Sequence, residues 1–405
     1  MGKSSVQIRS GDLNIICDAG IKLDEPPTHP LDPGKIDALF LSHSHLDHCG
    51  YIPGFFARQK FPLYLTKPAA EVSHMLQMDS LKIDRLKGYK TSYSESDVER
   101  LSASEIPVGY GEKKRFHGKM DFTFLDAGHI PGSAGILFEL EGKKVFYTGD
   151  TNAHKTRLLN EAQYPEEVDV LICESTYGGR LHPPRGIVEK KFLEDVKDTL
   201  ERGGIALVPA FAVGRAQEVL MVLRDLMEPI YLDGMARKAA HMMLKYPEFL
   251  ANPKQLEEAV SNAYMVEGRR MRREIVRQGP AVIVTTAGML EGGPVLDYLG
   301  RLHNDPNSSI ILTGYQVEDT NGRLLIEKGF VVDEESRKRF KVDMNISQYD
   351  FSAHSDHNSL VESTKKMNPE HVVLVHGDLE AENALKQDLD GFKVHTPKIG
   401  DVLGV

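Results

Sequence analysis

Cysteine is scarce in this chain: Cys17, Cys49 and Cys173 make an odd set with no C-x-x-C spacing. That excludes a disulfide framework and points to a reducing cytoplasm. Long apolar runs are missing as well, since nothing approaches the roughly 18 to 20 uninterrupted residues that a membrane span requires. The opening stretch, MGKSSVQIRSGDLNII, lacks the apolar centre of a secretory leader. Positive charge is in deficit, with 49 Lys and Arg against 59 Asp and Glu and a formal net charge of -10. This balance argues against a general nucleic-acid coat, which is usually basic. It leaves a nuclease open, because two divalent ions in one cleft would reverse the local charge. No fixed-period repeat and no low-complexity tract is visible. What is present is ordinary for a soluble globular protein, and 405 residues suit two domains or one domain with a large insertion.

Short β runs separated by loops fill the first part: LNIIC, DALFLS, PLYLT, DFTFLDA, GILFEL and KVFYTG, with a helical patch at about Pro68 to Leu86. Such runs suggest a sheet or sandwich whose loops gather at one edge. Near residue 180 the style changes. GIALVPA is followed by GRAQEVLMVLRDLM, PIYLD by MARKAAHMMLKY, and then come AVIVTTAG and SSIILTGYQ. Buried β runs alternating with helices predict a parallel, doubly wound α/β sheet. From about residue 342 the earlier style returns with HVVLVHGD and FKVHTPKIG. The economical division is a β-rich domain over 1–180 and 342–405, split by an inserted α/β domain over 181–341.

The densest chemistry lies in DALFLSHSHLDHCGYIPG, where His43, His45, Asp47 and His48 crowd together directly after an apolar run. In extended chain His43 and His45 point the same way. Asp47 and His48 enter an expected helix, LDHCGYIPGFFARQ, and can aim elsewhere. Zinc takes imidazole nitrogen and carboxylate oxygen, usually from four ligands. Two ligands to each of two ions fit the stretch better than four to one. Half-filled sites need more ligands, and His129 in AGHIPGSAG, Asp150 closing KVFYTGD and His376 closing HVVLVHGD stand at strand ends. Taken singly each could be a turn or cap residue. Together they predict one zinc on His43, His45 and His129, a second on Asp47, His48 and His376, and Asp150 bridging. Asp18, after LNIIC, is better placed to fix a ligand imidazole than to bind metal.

These motifs carry a resemblance. Asp18, HSHLDH, His129 and TGD resemble the successive motifs of the metallo-β-lactamase superfamily, and later segments are similar to its β-CASP branch of nucleic-acid hydrolases. CESTYGGR resembles motif A of that branch, with Glu174 as its acidic residue; FSAHSD resembles motif B, with His354; VHGD resembles motif C, with His376. The similarity extends over nearly the whole chain, also through PAFAVGRAQEVL, TTAGMLEGGPVLDYL and TGYQVEDTNGR. It implies an α/β fold, a metallo-β-lactamase αββα sandwich split by an inserted doubly wound α/β β-CASP domain. His in motif C implies RNA, since DNA-acting members usually carry an apolar residue there. The variety most similar is the archaeal, cleavage-and-polyadenylation-factor-like ribonuclease of RNA 3′-end processing without KH domains. Two departures stand out: Asp378 where Glu often follows HG, and only seventeen residues before Asp18 where many relatives have a glycine-rich segment and an extra strand.

The chemistry implied is hydrolysis of single-stranded RNA by a hydroxide bridging two Zn(2+) ions. His354 would be the general acid, oriented by Glu174, with Asp47 and Asp18 completing the catalytic set. A cytoplasmic homodimer acting on RNA and away from membranes is the further implication. Arg269, Arg270, Arg272, Arg273 and Arg277 in EGRRMRREIVRQ, and the basic SRKRFK, offer phosphate contacts, although basic helix faces are usually just solvated. Glycine-rich loops at Thr286 to Gly293 and Gly314 to Gly322 could cradle a phosphate or be tight turns. Two other classes compete. An inactive scaffold subunit would lose ligands, and this chain keeps them. A small-molecule metallo-hydrolase would not need motifs A to C.

Overall fold

The protein is described here from a computed structural model, over residues 2–22, 24–333 and 338–405. Period-two patterning builds its first half. In the strand Met120–Asp126 buried Met120, Phe122, Phe124 and Asp126 alternate with half-buried neighbours, so one face meets the core. Val170–Glu174 is buried at every position, as a strand covered on both faces must be. The chain divides into two units: Met1–Lys155, Asn160–Leu181 and Ala353–Val405 form one, Thr156–Leu159 and His182–Ser352 the other.

The first unit holds two sheets. The smaller runs, in spatial order, Val6–Ser10, Leu13–Cys17, Ala38–Phe40, Leu63–Leu65 and Glu105–Pro107. The larger runs Lys393–His395, His371–Val375, Val170–Glu174, Lys143–Tyr147, Ala134–Leu140, Met120–Asp126 and Lys113–Phe116. Leu13, Ile15 and Phe40 of one sheet pack with Phe122, Phe124, Ile136 and Phe138 of the other in a single apolar cluster. Outside it, Ile16, Leu39 and Leu41 meet Ile52, Phe55 and Leu101 from helices. Leu171, Cys173 and Leu374 on the far side meet Leu360 and Leu385 from the helices His357–Met367 and Leu379–Asp388. The layers are therefore helix, sheet, sheet, helix. The strands Leu13–Cys17, Ala38–Phe40, Met120–Asp126, Lys143–Tyr147, Val170–Glu174 and His371–Val375 each deliver a candidate site residue at or just past the carboxyl end.

The second unit is built on a wholly parallel six-stranded sheet in the order Tyr264–Met265, Ile230–Leu232, Ala281–Thr285, Ile205–Pro209, Ser309–Leu312, Asn345–Gln348, with a small antiparallel pair, Phe330–Asp333 and Lys338–Lys341, beside it in the chain. Helices such as Arg215–Leu223, Met235–Met243 and Pro294–Leu302 link its strands. Among the described residues no helix is long and apolar enough to cross a membrane.

One local expectation fails. The run LDHCGYIPGFFARQ is not one helix but two, Leu46–Cys49 and Ile52–Phe56. The Tyr51 N–H turns away to donate to the Ala19 carbonyl at 2.7 Å, and Pro53 has no N–H to continue the ladder. The strand Val6–Ser10, antiparallel to Leu13–Cys17, lay outside the sequence expectations.

Candidate metal centre

The site starts from a buried carboxylate. Asp18 is fully buried with φ at 61°, and its Oδ1 accepts the Ser42 N–H at 2.7 Å. Its Oδ2 accepts three donors at 2.7 Å each: Ser42 Oγ, His48 Nδ1 and Tyr147 Oη. The Ser42 hydroxyl has a single proton, already given to Asp18, so at 3.0 Å it can only accept from His43 Nδ1. One carboxylate thus fixes protons on Nδ1 of both His43 and His48, and frees the Nε2 side of each for a metal. His376 is treated alike. Thr176 Oγ1 lies 3.3 Å from the His376 carbonyl, which can only accept, and 3.2 Å from its Nδ1.

Around these fixed rings the donor atoms form two groups, His43, His45, His129 with Asp150, and Asp47, His48 with His376, each within 4.8 Å internally. Asp150 stands between them. Its Oδ2 is 3.5 Å from His43 Nε2 and 3.6 Å from His129 Nε2, whereas Oδ1 is 3.3 Å from His48 Nε2 and 3.4 Å from His376 Nδ1. His129 Nδ1 is tied to the Ala353 carbonyl at 2.8 Å, turning Nε2 toward His45 Nδ1 at 3.1 Å. His376 Nε2 is 3.2 Å from Asp47 Oδ2 and 3.3 Å from His48 Nε2. Among the described residues, buried His43 Nε2 and Asp150 Oδ1 find no hydrogen-bond partner. Orphaned buried polar atoms are rare, and converging ones suit an ion. The donor set, imidazole and carboxylate, is that of zinc.

Electrostatics agree with that use. Burial drives His43 and His129 well below the usual imidazole value and His45 to about 4, so all three are neutral, as ligands must be. Burial would raise the pKa of Asp47 and Asp150, but the surrounding histidines outweigh it and hold both ionised. His48 is the exception: burial opposes its charge, yet Asp150, Asp18 and Asp47 lift it well above normal, so an ion there would have to displace the Nε2 proton.

Glu174 and His354 form a pair at the edge of this cluster. Glu174 is 1% exposed, and its carboxylate takes the Thr151 N–H at 2.6 Å and His354 Nδ1 at 2.8 Å. Burial disfavours a charged His354, but Glu174, then Asp150 and Asp47, push its pKa up to about 9. His354 Nε2 is 4.0 Å from Asp150 Oδ2, and the side chain is 19% exposed. Asp150, Glu174 and His354 are also close enough to hold an ion together. With Nδ1 committed to Glu174, however, His354 presents one protonatable nitrogen toward the cluster.

The metal-ligand and catalytic candidates named from the sequence therefore lie together. Sequence reasoning missed the hydroxyls, Ser42, Tyr147 and Thr176, whose only signal is adjacency to a motif. The three cysteines are buried thiols; those of Cys49 and Cys173 donate to the carbonyls of Ser44 and Glu174. His357 begins the helix His357–Met367 and sits between the Gly179 N–H and Asp388. Asp378 caps the helix Leu379–Asp388 by accepting the Ala381 N–H at 2.8 Å. In the second unit the helix Gly268–Gln278 exposes Arg269, Arg270, Arg273 and Arg277. Arg272 does not belong to that face: it turns inward to Asp233, 1% exposed, at 2.7 Å, because the uncompensated carboxylate needs it. In SRKRFK, Ser336 and Arg337 lie outside the described residues, and Arg339 covers the Phe330 ring at 3.5 Å. The two glycine-rich loops follow the strands Ala281–Thr285 and Ser309–Leu312.

Comparison with known proteins places this geometry. Residues 2–201 match the family described as Metallo-beta-lactamase superfamily, 216–325 the Beta-Casp domain, and 339–397 the Zn-dependent metallo-hydrolase RNA specificity domain. The chain is similar to "Probable RNase MJ4" of Methanocaldococcus jannaschii, at 38% identity over 100% of this chain and 97% of that one. It is 35% identical to "RNase aCSPSF2" of Saccharolobus solfataricus, over 100% of this chain and 83% of the other. With "Transcription termination factor FttA" of Thermococcus kodakarensis the identity is 33%, over 93% of this chain and 65% of the relative. The chain belongs to the metallo-β-lactamase superfamily, in the branch that carries an inserted Beta-Casp domain and a Zn-dependent metallo-hydrolase RNA specificity domain.

Proposed function

We propose that the protein is a zinc-dependent ribonuclease that hydrolyses phosphodiester bonds of single-stranded RNA. The observation that carries this reading is Asp150, with one oxygen toward each histidine group and His354 beside it. The similarity to proteins named as RNases supports RNA as the substrate. His43, His45 and His129 would hold one zinc, Asp47, His48 and His376 the other, and Asp150 both. Zinc, when bound, supplies Lewis-acid stabilisation of phosphoryl oxygens and acidifies water. The protein's own residues do the rest. Asp18, Ser42 and Thr176 hold the ligand rings in the tautomers that leave a nitrogen free. Glu174 keeps a proton on His354 Nδ1 and favours the imidazolium, so that Nε2 can give its proton to the departing ribose oxygen. The inactive-scaffold alternative finds no lost ligand to support it, and a small-molecule hydrolase has no use for an RNA specificity domain. A homodimer belongs to the same reading and is checked by light scattering on the purified protein.

The test is zinc-loaded protein on a single-stranded RNA labelled at its 5′ end, with His354→Ala alongside. Labelled fragments of intermediate length would give internal cutting, and a labelled mononucleotide appearing first would give 5′-to-3′ degradation. No product that depends on His354 would refute the ribonuclease reading.

A further inference from the structure

The residues just before the strand Val6–Ser10 run along the candidate metal centre, and one of them reaches into it. Ser4 is held at both backbone atoms: its N–H donates to the Asp47 carbonyl at 2.8 Å, and its carbonyl accepts the Gly20 N–H at 2.9 Å. The same segments are stitched again by Ala19 N–H to His48 O at 2.7 Å and Ile21 N–H to Leu46 O at 2.9 Å. So close an approach requires glycine at position 20, where a Cβ would stand 1.6 Å from the Asp47 carbonyl oxygen. Through this lattice the Ser4 hydroxyl comes to 3.4 Å from His48 Nε2. That nitrogen also faces Asp150 Oδ1 and His376 Nε2, each at 3.3 Å. Ser4 is half-buried.

In the metal-free protein Nε2 can give Ser4 a proton or offer it a lone pair. With a metal ion on Nε2 it can do neither, and the Ser4 Oγ–H must find another acceptor. Its backbone is clamped, so Cβ stays at the rim of the ligand cluster and a turn about χ1 is all the hydroxyl needs to meet a new acceptor. The acceptor an RNA substrate brings there is a phosphate oxygen. Hydrogen bonds to such charged oxygens are about twice as strong as neutral ones. We propose that Ser4 is a substrate-binding residue whose hydroxyl donates to a phosphate oxygen of the scissile phosphodiester once the centre is loaded. This rests on the ribonuclease reading for the identity of the substrate, and on Ser4 alone for the contact.

The experiment uses zinc-loaded full-length protein in the His354→Ala background, which removes turnover. Ser4→Ala and Ser4→Thr are compared with the parent by calorimetric titration of inorganic phosphate and of hexauridylate, while zinc affinity is read by chelator competition. The expected result is about tenfold weaker phosphate binding for Ser4→Ala, the worth of one charge-assisted hydrogen bond, with Ser4→Thr restoring it and zinc affinity equal in all three. Equal phosphate affinity in Ser4→Ala and parent would overturn the proposal. So would a matching loss of zinc affinity, since Ser4 would then act on His48 rather than on substrate. Should phosphate discriminate the variants while hexauridylate binds none of them, the contact stands and the RNA reading is what fails.

Discussion

Replacing Asp18 with Asn should disarm the metal centre while leaving the fold in place, and the structure says by how much and why. Asp18 Oδ1 faces the Ser42 N–H, a group that can only donate, so the amide oxygen of the introduced side chain must take that position. The NH2 then falls where Oδ2 was, against Ser42 Oγ, His48 Nδ1 and Tyr147 Oη. Its two protons serve two of these three neighbours: Ser42 Oγ, which rotates and accepts, and His48, while the Tyr147 hydroxyl turns elsewhere. His48 can accept only by losing its Nδ1 proton, which moves the proton to Nε2, the atom aimed at Asp47, Asp150 and His376. Ser42, now accepting from the introduced amide, has its own proton free for His43 Nδ1 at 3.0 Å, and that drives His43 into the same wrong tautomer. A single O-to-NH2 change therefore blocks one ligand in each group. Loss of such an outer partner typically weakens metal affinity about 10- to 100-fold, or roughly 1.4 to 2.7 kcal/mol per site. Chelator competition should find both zinc equivalents weakened in Asp18→Asn. Tyr147→Phe removes a donor from the same carboxylate without touching either tautomer, and should leave both affinities unchanged at a stability cost of about 1 kcal/mol. Unaltered zinc binding in Asp18→Asn, or an equal loss in Tyr147→Phe, would refute the tautomer argument.

Further expectations follow from other parts of the molecule. His354 is raised to about 9 by Glu174 against the pull of burial, so a general-acid role is lost as pH rises through that value; Glu174→Gln removes the stabilising charge and should move the alkaline limb of kcat/KM to lower pH, and coincident profiles would contradict it. Burial raises Asp126 to about 6, and a carboxyl raised above its unfolded value contributes stability that is present at low pH and lost as pH rises toward 6. In metal-free protein the stability of Asp126→Asn relative to the parent should therefore grow by about 2.4 kcal/mol between pH 4 and pH 7, as followed by urea unfolding, and a constant difference would count against it. Arg272→Ala strands the buried Asp233 and should cost about 3 kcal/mol, while Arg273→Ala should shift stability by less than about 0.5 kcal/mol and lower RNA affinity in fluorescence anisotropy. Phe40, fully buried with the rings of Tyr64, Phe122 and Phe138 about it at 4.9 to 5.0 Å, should lose about 3 to 5 kcal/mol on change to Ala in the same unfolding assay.

What the sequence made legible follows from how narrowly each requirement restricts the residue. Strands such as Met120–Asp126 and Val170–Glu174 declare themselves because burial on one face or both restricts side chains to an apolar alternation or an apolar run. Lys113–Phe116 does not, since an edge strand may carry Lys, Lys and Arg toward water; it becomes a strand only because Met120–Asp126 pairs with it. The helix expected through Gly50 breaks for a similar reason, an acceptor thirty-two residues away at Ala19 that local pattern cannot register. The same contrast holds inside the site. Atoms that could touch a metal come from very few residue types, so His43, His45, Asp47, His48, His129, Asp150 and His376 can be picked out by kind and by place at strand ends. The groups that set their tautomers face no such restriction. Any donor or acceptor in the right place will serve, and Ser42 and Thr176 are of kinds found throughout the surface and the turns. Their function lies in a proton's position on a ring, which depends on distances of 2.7 to 3.3 Å between segments far apart in the chain. The least conspicuous residues of the site therefore decide whether its most conspicuous ones can bind, and only a three-dimensional arrangement reveals them.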